Sequence, residues 1–152
     1  MDTRSLDEKR QQLLGQILKA LFDECDVEAA LVCDLGGNIL AQEVKTFKDV
    51  LGNAAALAAG SFAATRELAG LIGESGFRSI FHRGHKTGIL IQHVGGEYLI
   101  LVILGENSIE GMVRLFLRKI GRQMGLILSG NGGQDVEVPE GASFEVEEKP
   151  GA

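Results

Sequence analysis

The sequence predicts an α+β fold: a three-layer sandwich, in the order α-β-β-α-β-β-β-α, built on a five-stranded antiparallel sheet. Three observations predict it. The terminal segments 6–25 and 109–128 carry apolar residues at three- and four-residue steps, the period of a helix with one buried face. Five short apolar or alternating segments are joined by brief Gly- and Asn-containing links, which suit hairpins and an antiparallel sheet. Between strands two and three lies one long segment, 47–72, that is small or apolar on almost every side. With that middle helix on one sheet face and the terminal helices on the other, every apolar face is buried.

The first helix, 6–25, repeats Leu13, Leu14, Ile17, Leu18, Leu21 and Phe22, and Ser5 followed by Glu8 fits a capping box. Segment 27–34 is short, apolar and partly β-branched. Leu35, Gly36, Gly37 and Asn38 then supply a turn, because Gly and Asn tolerate positive φ. Segment 39–44 completes the hairpin. The middle helix ends at Gly73, a residue suited to the left-handed stop of a helix. Strand three is expected over 77–82 and strand four over 87–94, where Ile89 and Ile91 face one way and Leu90 and Gln92 the other. Gly95 and Gly96 turn the chain into 98–104, the most apolar strand, expected at the centre and buried on both faces. Asn107 and Ser108 are expected to cap the last helix, whose inner face carries Met112, Val113, Phe116, Leu117, Ile120 and Met124.

A surface helix of a small monomer shows one apolar stripe. The middle helix shows two. Leu51, Ala55, Ala58, Phe62, Thr65, Ala69 and Ile72 form the first; Val50, Ala54, Leu57, Ser61, Ala64, Leu68 and Leu71 form the second. Gly52, Gly60 and Gly70 each cost a helix about 1 kcal/mol relative to alanine, and three together point to the close approach of another backbone. Tight packing on the chain's own sheet is the alternative. One sheet cannot cover both stripes, which favours a contact between molecules.

At 152 residues the chain makes one domain, 1–129, followed by an acidic tail, 130–152. The net charge is −6, and the tail supplies −5 of it. The nearly neutral body lacks the basic footprint of a nucleic-acid binder. The tail has no periodicity and is expected to be disordered, with Phe144 as a possible anchor for folding on a partner. No apolar run is long enough to span a bilayer. The charged N-terminus does not resemble a signal peptide. A cytoplasmic protein with Cys25 and Cys33 as reduced, buried thiols is expected.

Candidate chemistry is sparse. His82, Arg83, His85 and Lys86 could suggest a metal or acid–base cluster, but no carboxylate or thiol stands at ligand spacing and the segment reads better as a hairpin turn. Gly84, His85, Lys86 and Thr87 echo a phosphate loop, yet His85 replaces the glycine before the lysine and the segment joins two strands. Ser61 and Thr65 read as small packing residues. Arg114, Arg118, Lys119 and Arg122 make a basic ridge on the last helix, read as solvated charge, with docking of the acidic tail or an acidic partner as the alternative. No metal and no cofactor is expected.

Leu71, Ile72, Gly73 and Glu74, then Phe77, Phe81, His82 and Gly84, together with the element order and the small-residue helix, resemble the Roadblock family, named for dynein light chains. Val113, Arg114, Leu115 and Lys119 fit the same pattern, and the likeness is greatest to the MglB-like bacterial GTPase regulators. It covers roughly residues 6–128 and is most specific between Ala58 and Gly84. The resemblance implies a homodimer in which middle helices lie side by side and third strands pair across a twofold axis. Carried onto this chain, that interface comprises Leu51, Ala55, Ala58, Phe62, Thr65, Phe77, Ser79 and Phe81. It also implies a small Ras-like GTPase of the MglA type, docked near Ala56, Ala59, Gly60, Ala63, Ala64 and Glu67.

MglB-like proteins resemble the activators that reshape a GTPase until its own residues are in place. Arg66, the only arginine on the middle helix, is therefore expected not to act as an arginine finger. A non-catalytic Roadblock adaptor for a GTPase or motor complex is the second reading. A small-molecule sensor is the third, disfavoured by the scarcity of convergent polar groups and by a single Tyr and no Trp.

Overall fold

The structure is a computed structural model and describes residues 3–129. Its elements are α1 (Thr3–Glu24), β1 (Val27–Asp34), β2 (Ile39–Val44), α2 (Leu51–Leu71), β3 (Ser79–Arg83), β4 (Gly88–Gly95), β5 (Tyr98–Leu104) and α3 (Glu110–Leu128). The expected tail 130–152, with Phe144, lies outside the described residues.

All five strands form one sheet in the order β2-β1-β5-β4-β3, and each neighbouring pair is antiparallel. The unbroken apolar sequence of β5 places it at the centre. Ile100, Val102 and Leu104 point toward α1 and α3, while Leu99 and Leu101 point toward α2. Two cores result. Leu14, Ile17, Leu18 and Leu21 of α1 meet Val113, Phe116, Leu117, Ile120 and Met124 of α3 over one sheet face. Leu51, Ala55, Ala58, Ala59 and Phe62 of α2 cover the other. The three layers are those predicted.

The differences lie at element ends, where local chemistry decides. The backbone is already helical at Thr3, so Ser5 is inside α1 and not at its cap. Phe47 has φ 72°, a left-handed conformation that no helix continues, so α2 is entered through a 3-10 turn, Lys48–Val50. Gly73 ends α2 as expected: at φ 78° its N–H donates to the Gly70 carbonyl, and the next N–H, of Glu74, reaches the Ala69 carbonyl. Strand β3 starts two residues later than expected, at Ser79 rather than Phe77. Ser108 does not cap α3. Its hydroxyl donates to the Asp26 carbonyl and accepts from Gly105 N–H at 2.8 Å, tying the β5–α3 link to the start of β1 and leaving Ile109 at the cap position.

The β1–β2 turn is built by Asp34. Its carboxylate accepts N–H bonds from Gly36 at 3.0 Å and Asn38 at 2.9 Å, and a third from Asn38 Nδ2 at 3.0 Å. These donors, Asn38 foremost, hold the Asp34 carboxyl below its usual range. Gly37 is required here: φ is 84°, and a Cβ would stand 2.7 Å from the Ala56 Cα, so the turn rests directly on α2. Cys25 and Cys33 are free and buried. Burial, with Glu24 and Asp34 adding to it, pushes each thiol up to about 11.

Candidate functional site

The surface of α2 divides into three strips. The innermost is Leu51, Ala55, Ala58, Ala59, Phe62 and Ala69, each at most 5% exposed, and all but Ala69 pack with residues of β1, β4 and β5. Two sets of residues assigned from the sequence fall on this strip. Leu51, Ala55 and Phe62, assigned to the contact with a second copy, are covered by the chain's own sheet, and Ala58, assigned with them, is 5% exposed but also lines the groove beside α2. Ala59, assigned to a GTPase contact, is buried with them. A period alone cannot tell which of two apolar stripes takes the sheet.

The second strip faces the β3 side of the molecule. Ala54, Leu57 and Ser61 form one wall of an apolar groove whose floor is Ile89 and Ile91 of β4 with Leu101 and Ile103 of β5. His82 of β3 lines the far side. Leu57 is 74% exposed, and Leu68 continues the strip at 60%. Leu57 was read from the sequence only as part of the second stripe and His82 only as a metal or acid–base candidate, and Ile89 and Ile103 were not picked out as site residues. The available signal was geometric: five strands spaced about 4.8 Å apart are wider than one helix of about 10 Å, so α2 cannot cover its whole sheet face.

The third strip points away from the groove. Gly52, Ala56, Gly60, Ala63, Glu67 and Gly70 are exposed. A Cβ added at Gly52, Gly60 or Gly70 would meet nothing within 4 Å. Tight packing within the chain therefore does not explain these glycines. Ala63, Arg66, Glu67, Gly70 and Leu71 line a shallow depression along this strip. Ala64, also exposed, falls by helical rotation between the outer strip and the groove strip. Arg66 leans inward, its guanidinium 5.9 Å from the centroid of the Phe62 ring.

Beside the groove, β3 is an edge strand. Its sheet-side anchor is Phe81, which carries two arginines: Arg83 at 5.6 Å and Arg114 at 5.8 Å from the ring centroid. Arg114 Nε donates to Glu110 Oε2 at 2.7 Å and its Nη1 to Ser79 Oγ at 3.3 Å, while Arg83 pairs with Glu110 at 3.7 Å. Arg114, read from sequence as solvated charge, thus fastens β3 to α3. Arg118 and Arg122 remain exposed. Phe77 is exposed at 41% just before the strand, and Ser79 and Phe81 are half-buried on it.

The three histidines are dispersed. His82 faces the groove, His85 sits exposed in the β3–β4 turn, and His93 donates through Nε2 to the Gly96 carbonyl at 2.7 Å while stacking on Phe62. Among the described residues no group of three His, Cys, Asp or Glu side chains could hold a metal ion. None of the described helices is long and apolar enough to cross a membrane.

The Roadblock/LC7 domain model matches residues 13–104, more than half of the chain. The chain belongs to the Roadblock/LC7 family. Solved structures agree. The gliding protein MglB of Thermus thermophilus is 26% identical, with a TM-score of 0.74 over 79% of this chain and 91% of that one. MglB of Myxococcus xanthus is 26% identical, with a TM-score of 0.70 over 82% and 91%. An MglB described in a tetrameric arrangement is 25% identical, with a TM-score of 0.75 over 80% and 92%. No curated protein sequence matches the chain. Roadblock/LC7 and MglB-like domains are a family of regulatory domains.

Proposed function

We propose that this Roadblock/LC7 protein is a homodimeric regulator of a small Ras-like GTPase of the MglA type, and that it stimulates GTP hydrolysis by reshaping the GTPase around the GTPase's own catalytic residues. The observation that carries the reading is the half-covered sheet face. One helix, α2, lies where the opposite face has two, and the uncovered half runs into the free edge of β3. A second copy fits both features at once. Its β3 extends the sheet, and its α2 fills the space above Ile89, Ile103 and Leu57.

The revised contact with the second copy comprises Ala54, Leu57, Ser61 and Thr65 from α2, with Phe77, Ser79 and Phe81 at the edge strand. The outer strip then faces away from the dimer's sheet. We assign Ala56, Gly60, Ala63 and Glu67, with Ala64 at its margin, to the GTPase. Small side chains and open glycines let a switch loop approach the backbone closely. The likeness to MglB structures supports the choice of partner class.

Hydrolysis in such a complex needs a positioned water and compensated charge on the transferred phosphoryl group. Glu67 is the only charged residue assigned to the strip, and Arg66 beside it is already packed on Phe62. The protein therefore acts by shape, with no chemistry of its own and from the cytoplasm, where its GTPase resides. Single-turnover GTP hydrolysis by an MglA-type GTPase, with and without this protein, tests the reading. Stimulation is expected. Clear binding with unchanged hydrolysis would leave an adaptor instead.

A further inference from the structure

We propose that association of two copies is gated by protons through His82, so that the dimer dissociates as pH falls. The inference rests on the dimer reading given above and adds to it a register and a control.

The register follows from which backbone groups β3 leaves free. The Arg78 carbonyl accepts from His93 N–H at 2.8 Å and Gly84 N–H donates to the Thr87 carbonyl at 2.7 Å, both toward β4. Backbone groups alternate sides along a strand, so Ile80 and His82 also face β4, and Ser79, Phe81 and Arg83 present theirs to the open edge. Twofold antiparallel pairing centred on Phe81 uses every one of those outward residues: Phe81 meets the partner's Phe81, and Ser79 meets the partner's Arg83. Centring on Ile80 or His82 leaves one of them beyond the strand. In the Phe81 register, His82 stands directly opposite the partner's Ile80.

Side chains alternate too. Ser79, Phe81 and Arg83 lie on the α3 face, where Arg114 and Glu110 bind them. Ile80 and His82 lie on the α2 face, Ile80 in its core and His82 lining the groove. The groups facing His82 are Ala54, Leu57, Ala58 and Ser61 from α2, Ile89 and Ile91 from β4, and Leu101 and Ile103 from β5. None of them is titratable or charged. Arg78, four residues before His82, shares its parity along the strand and so the α2 face, where a cation cannot compensate an imidazolium. His85 and Lys86 line the depression beside Glu106 and Glu110 on the other side. The other charges of β3, of α2 and of the turn before it are turned elsewhere. Arg83 pairs with Glu110 on the other face, Arg66 lies over Phe62, Glu67 lines the outer depression, and Lys48 and Asp49 sit in the exposed turn before α2.

In a single copy His82 is exposed, and water solvates its charged form. When a second copy fills the groove, the imidazole is enclosed by aliphatic side chains, with no carboxylate of the described residues lining the groove to compensate a positive charge. Burial without a partner disfavours the charged form. The dimer therefore binds fewer protons at His82 than two separate copies do, and linkage requires association to weaken as pH falls through the imidazole range. The twofold axis doubles the effect, because each interface holds two such imidazoles.

Sedimentation of the full chain at pH 8 and pH 5.5 tests this, with His82→Gln and His82→Leu in parallel and circular dichroism to confirm that each folds. The wild-type dimer Kd is expected to weaken by at least tenfold at pH 5.5. Both variants are expected to stay dimeric with little pH dependence. A wild-type Kd constant within threefold overturns the inference and leaves the dimer standing. A chain that is monomeric at both pH values overturns the dimer reading and the inference together. A pH shift that persists in both variants assigns the effect to another group and also overturns it.

Discussion

The guanidinium of Arg66 lies 5.9 Å from the centroid of the Phe62 ring, whose plane is within 6° of the His93 imidazole it stacks on. Arg66 thus closes a stack that joins α2 to β4. A finger arginine must leave its own surface to reach a phosphoryl group, and this one has a seat. Arg66→Ala is expected to keep stimulated GTP hydrolysis within about tenfold of the parent in single-turnover assays. A loss of about a thousandfold, the scale of a missing finger, would show that Arg66 supplies transition-state charge.

Gly60 separates the two explanations for a glycine in a helix. It has open space where a Cβ would be, so Gly60→Ala should stabilise the free protein by about 0.5–1 kcal/mol, visible as a raised Tm. If a switch loop approaches the backbone there, the same variant weakens GTPase binding, and Gly60→Arg abolishes it without unfolding the domain. Calorimetric titration with the GTPase measures both. Unaltered binding by Gly60→Arg would move the docking surface off the outer strip.

Leu57 and Phe62 are five residues apart and should fail differently. Leu57 is 74% exposed and Phe62 is 1% exposed. Leu57→Arg is expected to give a folded monomer, read by sedimentation together with a thermal melt close to the parent's. Phe62→Ala should cost about 3–5 kcal/mol of stability by leaving a cavity between α2 and the sheet. A Leu57→Arg protein as dimeric as the parent would place the second copy elsewhere.

Asp34 makes stability depend on acid. Its folded pKa is depressed by the N–H donors of the turn, so the stabilisation is present above the ordinary carboxylate pKa and is lost as pH falls through the depressed value. Asp34→Ala should therefore lower stability at pH 7 by about 1 kcal/mol, the net worth of a few exposed turn bonds. The gap to the parent should narrow in melts at pH 2–3. A constant gap across that range would mean that the carboxylate's charge is irrelevant to the turn.

Cys25 and Cys33 should be silent in the native protein. Burial raises both thiols to about 11, so little thiolate exists at pH 8 and little of it is accessible. A disulfide-exchange reagent is expected to modify them at least a hundredfold more slowly in the folded than in the denatured protein. Fast native labelling of either would reveal an opening of β1 or of the α1–β1 junction.

Most of the architecture was legible because it is written in local periods and turn chemistry. The span of β5, the Asp34–Asn38 turn and the Gly73 stop each depend on residues close together in the chain. The site was legible only in outline. Two apolar stripes on α2 exceeded what one sheet can cover, and the Roadblock resemblance implied the kind of partner proposed above. Neither said which stripe was which, because Leu51 and Leu57 look alike in sequence and differ only in what lies beneath them.

By itself the sequence determined the order of elements, the central strand and the excess of apolar surface on α2, since hydrophobic period and backbone preference act within a few residues. Tertiary structure decided the rest. It buried Leu51, Ala55, Ala58, Ala59 and Phe62, opened the groove beside Leu57, turned Arg114 from a solvated cation into the clamp on Phe81, and set His82 on an apolar wall. Those outcomes depend on sheet order and on the width of one helix against five strands, which bring together residues far apart in the chain.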